Sequence, residues 1–402
     1  MIDEKTIAKS EQLLKEKFDL LDEIALFNQE KVLNALKKNS LELRHFYGST
    51  GYGYGDDGKE TLNNVLADIF KTESAICSPN IVSGTHALSL SLYGILRPND
   101  KVLSVTGVPY DTLQDVIEGQ DNGSLKDFGV QFEYVKLINN DFDYQEIENR
   151  LKKSKYKMIY LQRSRGYEWR NALSLSQIKK IVDFVRECNF DGCIMLDNCY
   201  GEFVDKKEPT EVGVNVVAGS MIKNPGGGVA PTGGYVAGDK KYIDLIYNRL
   251  TAPSIGSEVG SYQNGYQYFF QGLFLAPHVV KEALKGAMLI GKTLSQLGYE
   301  TSPSEDIMPG DIIKAIKFND KDKLIKFIQN IQANSPVDSH VTVMPWAMPG
   351  YKDEVIMAAG CFVQGASIEL SADAPIRPPY IAYFQGGLTY EHCKITLKNL
   401  QL

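Results

Sequence analysis

Cysteine and histidine are scarce in this sequence. The 402 residues include six cysteines, and no two of them have the Cys-x-x-Cys spacing of zinc ribbons or thioredoxin-like redox motifs. The five histidines show no paired spacing, so we expect no metal site. Six cysteines are also too few for a disulfide scaffold, and buried thiols in a reducing cytoplasm are the simplest interpretation.

Long apolar runs and an excess of positive charge are also missing. No run approaches the roughly 18 apolar residues of a membrane span, and the charged N-terminus lacks the apolar segment of a signal peptide. Acidic residues outnumber basic ones by 50 to 43, which argues against binding to nucleic acid. The 43% share of hydrophobic residues excludes general disorder. We therefore expect a soluble, cytoplasmic protein without membrane or nucleic-acid partners.

Short apolar segments alternate with helix-length segments from about residue 75. The candidate strands are 75–77, 101–105, 131–135, 158–162, 193–197, 214–218 and 234–237, and the candidate helices are 85–96, 175–188 and 240–250. This alternation predicts an α/β fold whose mostly parallel, seven-stranded sheet has helices on both faces. Ligands of such sheets bind beyond the carboxyl ends of the strands.

Helical patterns flank this region on both sides. Residues 1–40 have the periodicity of amphipathic helices, and 252–300 resemble a long helical connection to a smaller C-terminal α/β domain. We predict three parts: a helical segment at 1–50, a large domain that contains the sheet at 51–255, and the connecting helix with the small domain at 256–402.

The segment 53–59, GYGDDGK, fits two glycine-rich phosphate-loop patterns. Its context does not support a nucleotide site, because no strand is predicted before it and Asp56 and Asp57 would repel a phosphate. Two other interpretations stay open beside that one. The segment is a flexible glycine-rich loop, or Tyr52 and Tyr54 reach out from it to another group.

Two other segments place polar residues next to strand ends. Ser83, Gly84 and Thr85 open a helix, where free backbone N–H groups bind an anion or where a hydroxyl simply caps the helix. Asp197 ends an apolar strand and would point into the ligand crevice as a metal ligand, a base or the partner of a cationic ring nitrogen. Its alternative role is that of a helix cap.

The most informative segment is 218–234, AGSMIKNPGGGVAPTGG. Lys223 follows a predicted strand closely and is surrounded by small residues, which favours a packed lysine over a surface one. Packing would desolvate the amine, lower its pKa and make it a nucleophile for an aldehyde. An anion cradle at Gly84, a flat side chain at Tyr110, the carboxylate of Asp197 and this lysine are the parts that a pyridoxal phosphate site needs.

With these parts in place, the chain resembles the fold-type-I enzymes that depend on pyridoxal phosphate (PLP). It looks most like the methionine γ-lyase-like family, whose members are often described as aluminium-resistance or cystathionine β-lyase-like proteins. The resemblance covers nearly the whole chain and is carried by TGYGYGDDG (50–58), VSGTHAL (82–88), QRSRGY (162–167), LDNCYGEF (196–203), GSMIKNPGGGVAPTGGY (219–235), QGLFLAPHVV (271–280) and SIELSADAPIRPPY (367–380).

This resemblance implies the PLP-dependent transferase-like fold and a lyase that cleaves a carbon–sulfur bond in cystathionine, cysteine or methionine. Lys223 would carry the cofactor as an internal aldimine, Asp197 would pair with its ring nitrogen and Tyr110 would stack on the ring. The phosphate would be held by Gly84, Thr85 and Ser220. Other PLP reactions, such as γ-replacement or amino-group transfer, and a PLP-binding stress protein with little turnover are the alternatives.

The resemblance also implies that subunits share sites in a homodimer or homotetramer, with Tyr52 or Tyr54 completing the phosphate site of a neighbour. The better-known lyases have Tyr-x-Arg at that point, so Arg163 or Arg165 would supply the arginine here. They also have Thr where Ile222 precedes the lysine. Arg377 would bind the carboxylate of the substrate, and its alternative is a surface ion pair.

Overall fold

The core of the larger domain is a sheet of seven strands. A computed structural model describes residues 2–401 of the chain. The strands are β1 (Ser74–Ser78), β2 (Lys101–Ser104), β3 (Gln131–Tyr134), β4 (Met158–Gln162), β5 (Cys193–Asp197), β6 (Val216–Ser220) and β7 (Gly234–Gly238). Their spatial order is β1-β7-β6-β5-β4-β2-β3, and only β7 runs antiparallel to its neighbours. The predicted α/β fold class is confirmed.

Ten helices surround and connect the sheets. They are α1 (Glu4–Lys38), α2 (Asp57–Phe70), α3 (Gly84–Ile95), α4 (Asp111–Glu118), α5 (Tyr144–Lys153), α6 (Leu175–Glu187), α7 (Lys240–Leu250), α8 (Gln267–Gln296), α9 (Lys321–Ala333) and α10 (Tyr390–Asn399), in the described residues 2–401. No helix within that range is long and apolar enough to cross a membrane.

Apolar residues on both faces of the central strands explain why helices cover the sheet twice. Every residue of β4 and of β5 is buried. One face of these strands packs with α3 and α7 in one apolar cluster, and the other face packs with α2 and α6 in a second cluster. In α6 the buried positions are Ile178, Ile181, Val182 and Val185, which form one stripe at helical spacing.

The smaller domain is built on a second, fully antiparallel sheet. Its strands are β8 (Glu300–Ser302), β9 (Ile313–Lys317), β10 (Val355–Ala358), β11 (Ser371–Pro375) and β12 (Ile381–Gln385), in the order β10-β11-β12-β9-β8. Helices α9 and α10 pack on this sheet around one apolar cluster. The small domain thus has a core of its own, as expected for the C-terminal region.

Several predicted boundaries are wrong. Helix α1 is one continuous helix, β6 lies two residues later than 214–218, and α8 begins at Gln267 rather than near residue 252. Helix α1 packs along α8, with Leu14 and Leu21 in the large apolar cluster and Ile7 in the cluster of the small domain. The three-part division at residues 50 and 255 stays a prediction.

Candidate active site

A cavity of about 450 Å³ lies at the carboxyl ends of the parallel strands, where the two domains meet. This volume is in the range of small-molecule binding sites. The predicted site residues that line the cavity are Gly84, Thr85, Tyr110, Arg165, Asp197, Ser220, Lys223 and Arg377. The tertiary structure therefore brings together eight residues that are spread over nearly 300 positions of the sequence.

Lys223 reaches the cavity from a tight glycine turn that follows β6. A Cβ atom on Gly226 would collide with the carbonyl oxygen of Met221, and one on Gly227 would lie 2.6 Å from the carbonyl oxygen of Gly272 in α8. Glycine is needed at these positions because backbone packs directly against backbone. The turn thereby fixes the lysine between the end of β6 and the long helix.

The amine of Lys223 faces an aromatic ring. Its Nζ lies 3.9 Å from the centroid of the Tyr200 ring, a cation–π distance. Burial lowers the pKa of this amine, but Tyr200 and Cys199 outweigh burial and raise the pKa well above its usual value. The expectation of a lowered pKa is therefore wrong for this structure. Burial alone predicts a lowered pKa, whereas the contacts with Tyr200 and Cys199 arise only in the tertiary structure.

Asp197 ends β5, and its carboxylate faces the cavity. Its Oδ1 accepts a hydrogen bond from the backbone N–H of Cys199 at 3.0 Å. Burial raises the pKa of Asp197, while the N–H of Cys199 and the charge of Lys223 oppose that rise. The carboxylate therefore lies near Lys223 at the carboxyl end of β5. A cationic ring nitrogen at this point would stabilise its charge.

Helix α3 begins at the cavity wall. Ser83 caps the helix, since its hydroxyl accepts the N–H of His86 at 3.0 Å. The N–H groups of Gly84 and Thr85, the next two residues, have no carbonyl partner within the helix and are suited to an anion. A Cβ atom on Gly84 would lie 3.1 Å from Sγ of Cys199 and 3.5 Å from Cβ of Ser220. Glycine therefore keeps this cradle open.

Tyr110 is held by two hydrogen bonds at the wall of the cavity. Its hydroxyl is 2.6 Å from Oγ1 of Thr85, and its backbone N–H donates to Oε1 of Gln162 at 2.9 Å. Burial is the main cause of the raised pKa of Tyr110, so the phenol stays protonated at neutral pH. The ring is thereby fixed beside Asp197 and the start of α3.

The small domain contributes charged groups to the opposite wall. Asp373 on β11 accepts a hydrogen bond from the hydroxyl of Tyr167 at 2.8 Å. Burial raises the pKa of Asp373 to about 6, against the effects of Tyr167 and Lys223. Arg377 lies at the rim with 45% of its side chain exposed, and its Nη1 donates to Asp353 at 2.8 Å. Arg377 therefore already has an acidic partner.

Arg163 does not reach the cavity, although we predicted that it contacts the cofactor. Gln162 pairs with Asp197 in the parallel register of β4 and β5, so Gln162 shares the cavity face. Side chains alternate between the faces of a strand, and Arg163 therefore points the other way. Its guanidinium donates to Asn198 Oδ1, to the carbonyl of Gly201 at 2.7 Å and to Asp205 at 2.6 Å.

Tyr52 and Tyr54 also lie outside the cavity. They are 71% and 69% exposed, and their ring centroids are 5.5 Å apart. Their loop is anchored by the backbone, since the carbonyl of Tyr52 accepts the N–H of Gly260 at 3.0 Å. Within one chain, these tyrosines present a surface, and a role at the site of another subunit stays a prediction.

The glycine-rich segment at 53–59 caps a helix and holds a loop, and it does not form a nucleotide-binding loop. Asp56 caps α2, since its Oδ1 accepts the N–H of Lys59 at 2.9 Å. The amine of Lys59 donates to the carbonyls of Ser257 at 2.8 Å and Val259 at 3.2 Å. A Cβ atom on Gly58 would meet the Tyr266 ring at 2.5 Å. The lysine is thus used in holding a loop of its own chain.

The residues of the cavity fit pyridoxal phosphate. Gly84 leaves a cradle that a Cβ atom would fill, next to helical N–H groups that suit a phosphate. Asp197 offers a carboxylate to a ring nitrogen, and Lys223 offers the amine that an aldehyde requires. These donors and acceptors match the three functional groups of that cofactor.

Comparison with known protein families agrees with this geometry. The family model for methionine gamma-lyase matches residues 3–401. The chain belongs to the methionine gamma-lyase family. Its fold is that of the fold-type-I PLP-dependent enzymes, as the sequence resemblance implied.

Individual relatives of this family member cover nearly the whole chain. It is 48% identical to the uncharacterized protein YnbB of Bacillus subtilis (strain 168) over 378 residues, which are 93% of this chain and 90% of that protein. A crystal structure named as a carbon-sulfur lyase involved in aluminum resistance, from Clostridium novyi NT, is 50% identical, with a TM-score of 0.94 over 98% of this chain and 95% of that one.

A more distant structure shows that the fold extends beyond close relatives. Apo CalE6, a methionine gamma lyase from Micromonospora echinospora, has a TM-score of 0.58 at 14% identity, over 86% of this chain and 85% of that one. Identity at this level supports the shared fold alone.

Sequence reasoning missed several cavity residues of this family member. Gln162, Tyr200 and Asp373 line the cavity, and none of them was singled out. A local signal existed for Gln162, because it ends a predicted strand just as Asp197 does. Tyr200 has a left-handed backbone with φ of +71°, a feature that is visible only in the structure. Asp373 is placed by packing between domains, for which the local sequence has no marker.

Proposed function

We propose that this chain is a PLP-dependent carbon–sulfur lyase that acts on a sulfur-containing amino acid. The observation that supports this is the meeting of Lys223, Asp197 and the first turn of α3 at one cavity. An amine, a carboxylate and an anion cradle match the aldehyde, ring nitrogen and phosphate of PLP. The methionine gamma-lyase family model, which matches residues 3–401, supports an amino acid that contains sulfur.

When bound, PLP withdraws the electron pair that is left on the α-carbon of an amino acid after its proton is removed. In our proposal, Nζ of Lys223 would hold the aldehyde of the cofactor in the resting enzyme and would move the α-proton of a bound amino acid. Asp197 holds a proton on the ring nitrogen. The N–H groups of Gly84 and Thr85, with the hydroxyl of Ser220, hold the phosphate.

Tyr110 packs against the ring in this proposal and orients it. The hydrogen bonds to Thr85 and Gln162 keep the phenol in one position, so little rotational freedom is lost when a ligand binds. The small domain closes the far wall and restricts water. Elimination then gives a thiol and an enamine, and water converts the enamine into a 2-oxo acid and ammonia.

The test is an absorbance spectrum of the purified protein with PLP, before and after borohydride. We expect a yellow band that borohydride bleaches, with the added mass on the peptide that contains Lys223. Lys223→Ala should lose both signals. Lys179→Ala is the matched control, because Lys179 is an exposed lysine on α6 that does not line the cavity, and it should keep both. A label that persists in Lys223→Ala, or a protein that binds no PLP, would contradict the proposal.

Product analysis then separates the lyase from the other PLP reactions. Cystathionine, cysteine and methionine are supplied in turn, and ammonia, 2-oxo acid and thiol are measured. Equal amounts of ammonia and 2-oxo acid support the lyase. A 2-oxo acid without free ammonia indicates amino-group transfer, and bound PLP without turnover on a broad amino-acid panel indicates a PLP-binding protein with another role.

A further inference from the structure

Arg165 is a buried guanidinium that the chain itself satisfies only in part. It lies three residues beyond β4 and is 0% exposed. Its Nη1 donates to the carbonyl oxygen and to the hydroxyl of Ser302, both at 2.9 Å. Its Nε and Nη2 have no hydrogen-bond partner among residues 2–401. Among residues 2–401, Arg165 is the only cavity-lining residue that has buried side-chain nitrogen or oxygen atoms without a hydrogen-bond partner.

The positive charge of Arg165 also lacks a contacting carboxylate. No ion pair within 4.0 Å involves Arg165 in the described part of the chain. Asp311 is nearby, but its two oxygens accept hydrogen bonds from the hydroxyl of Ser164 and the N–H of Ile313. Burial lowers the pKa of Arg165, yet a guanidinium stays charged at neutral pH. A buried cation without a partner lowers the stability of a fold, and a bound anion would offset this loss.

Arg377 differs from Arg165 in both respects. Its side chain is 45% exposed, and its Nη1 is already bonded to Asp353. An incoming carboxylate at Arg377 would compete with that ion pair and with water. At Arg165 the same carboxylate would meet two free N–H groups in a dry environment, where charge-assisted hydrogen bonds are strongest.

The position of Arg165 separates it from the phosphate cradle. Ser220 ends β6, and Arg165 follows β4, which is two strands away in the order β6-β5-β4. Neighbouring strands are about 4.8 Å apart, so these two strand ends are separated by about 10 Å. Arg165 is also bonded to Ser302 at the end of β8 in the small domain. Arg165 therefore lies away from Ser220, on the side of the cavity that the small domain covers.

We propose that Arg165, rather than Arg377, binds the α-carboxylate of the amino-acid substrate through its free Nε and Nη2. This inference rests on the proposed function, because it assumes an amino acid held at Lys223. Ser302 then acts as a positioning residue, since its two oxygens hold Nη1 and leave the other edge of the guanidinium toward the cavity.

The experiment compares two amines that differ in the carboxylate. Glycine and methylamine are titrated into the PLP-loaded protein at one pH, and the spectral change of the cofactor gives an apparent Kd for each. The quantity compared is the preference for glycine, which is the Kd of methylamine divided by the Kd of glycine. We expect this preference to be larger in the unaltered protein than in Arg165→Gln. We expect this preference to fall about 10- to 100-fold in the variant, the range for hydrogen bonds to a buried charge. Methylamine should bind as before.

Three further variants decide between the arginines. Arg165→Lys keeps the charge without the planar fork and should recover only part of the preference. Arg163→Gln removes a neighbouring buried arginine on the other face of the sheet and should keep the preference. Arg377→Gln should keep it as well. A loss of the preference in Arg377→Gln with none in Arg165→Gln would overturn the proposal.

The unaltered protein alone also tests the proposal, even where Arg165→Gln does not fold. Equal pH-corrected affinities for glycine and methylamine in the unaltered protein would mean that no residue anchors the carboxylate, and would refute it. Failure of the proposed function has a different signature, since a chain that does not bind PLP shows no spectral response to either amine.

Discussion

Gln162 lies opposite Asp197 where β4 and β5 end, and this pairing decides which residues of QRSRGY reach the cavity. Gln162 faces the cavity and holds the backbone of Tyr110. Arg163 points to the other face because side chains alternate along a strand. The strand has ended by Arg165, so the alternation no longer applies there, and Arg165 lines the cavity.

This pairing predicts that Arg163 stabilises the fold without contacting the cofactor. Arg163→Ala should lower the free energy of unfolding by about 2–4 kcal/mol, because Asp205 and two buried oxygens lose their donor. Urea unfolding of the apo protein measures this loss. Under conditions where the variant is folded, its Kd for PLP should equal that of the unaltered protein. A Kd that is tenfold higher would indicate that Arg163 contacts the cofactor.

Asp373 should control the pH dependence of substrate capture. Its pKa is raised to about 6, so it gains its negative charge as the pH rises through 6 and then attracts a substrate ammonium group. We expect kcat/KM to increase with pH from about 6 upward, because binding of the aldehyde removes the Lys223 charge that opposes the raised pKa of Asp373, and to be nearly flat there in Asp373→Asn. Tyr167→Phe removes a hydrogen bond to the charged form and should move the inflection to higher pH. An unchanged inflection in Asp373→Asn would assign it to another group.

Glu202 should make the folded chain less stable as the pH rises. This fully buried side chain accepts a hydrogen bond from Tyr235, and burial raises its pKa from 4.5 to about 8. The folded chain therefore holds the proton more tightly than the unfolded chain does. Stability from this group is complete below about pH 4.5 and is lost as the pH rises to about 8, by at most about 1.4 kcal/mol per pH unit.

Glu202→Gln cannot ionise and should lack that loss. The two proteins are unfolded in urea at several pH values between 4.5 and 9. We expect the variant to gain stability relative to the unaltered chain across this range and the difference to level off above pH 8. A difference that is constant with pH would show that Glu202 does not titrate there.

The exposed tyrosines predict that active sites are shared between subunits. The variant with Tyr52→Ala and Tyr54→Ala and the variant Lys223→Ala should each be inactive. If one subunit completes the site of another, subunit exchange between them should restore about a quarter of the activity, since half of the dimers are mixed and each has one intact site. A mixture that exchanges subunits and stays inactive would place both roles in one chain.

Local sequence was sufficient for the strands and for the main chemistry of the site. Buried parallel strands are short apolar runs, so β4 and β5 were predicted with their observed bounds. Asp197 and Lys223 were found because a carboxylate at a strand end and a lysine before a glycine run are local patterns. Backbone packing explains the second pattern, since the glycines let the lysine turn approach α8.

Tertiary structure alone decided which charged residues meet. Asp373 and Tyr167 are 206 positions apart, and they join only because β11 of the small domain packs over the loop that follows β4. Three arginines were candidates from the sequence, and their surroundings separate them: Arg163 is paired on the far face, Arg377 is paired at the rim, and Arg165 is buried with free N–H groups. The physical reason is that burial and pairing depend on packing between distant segments, whereas a residue's type and its place at a strand end are already present in the sequence.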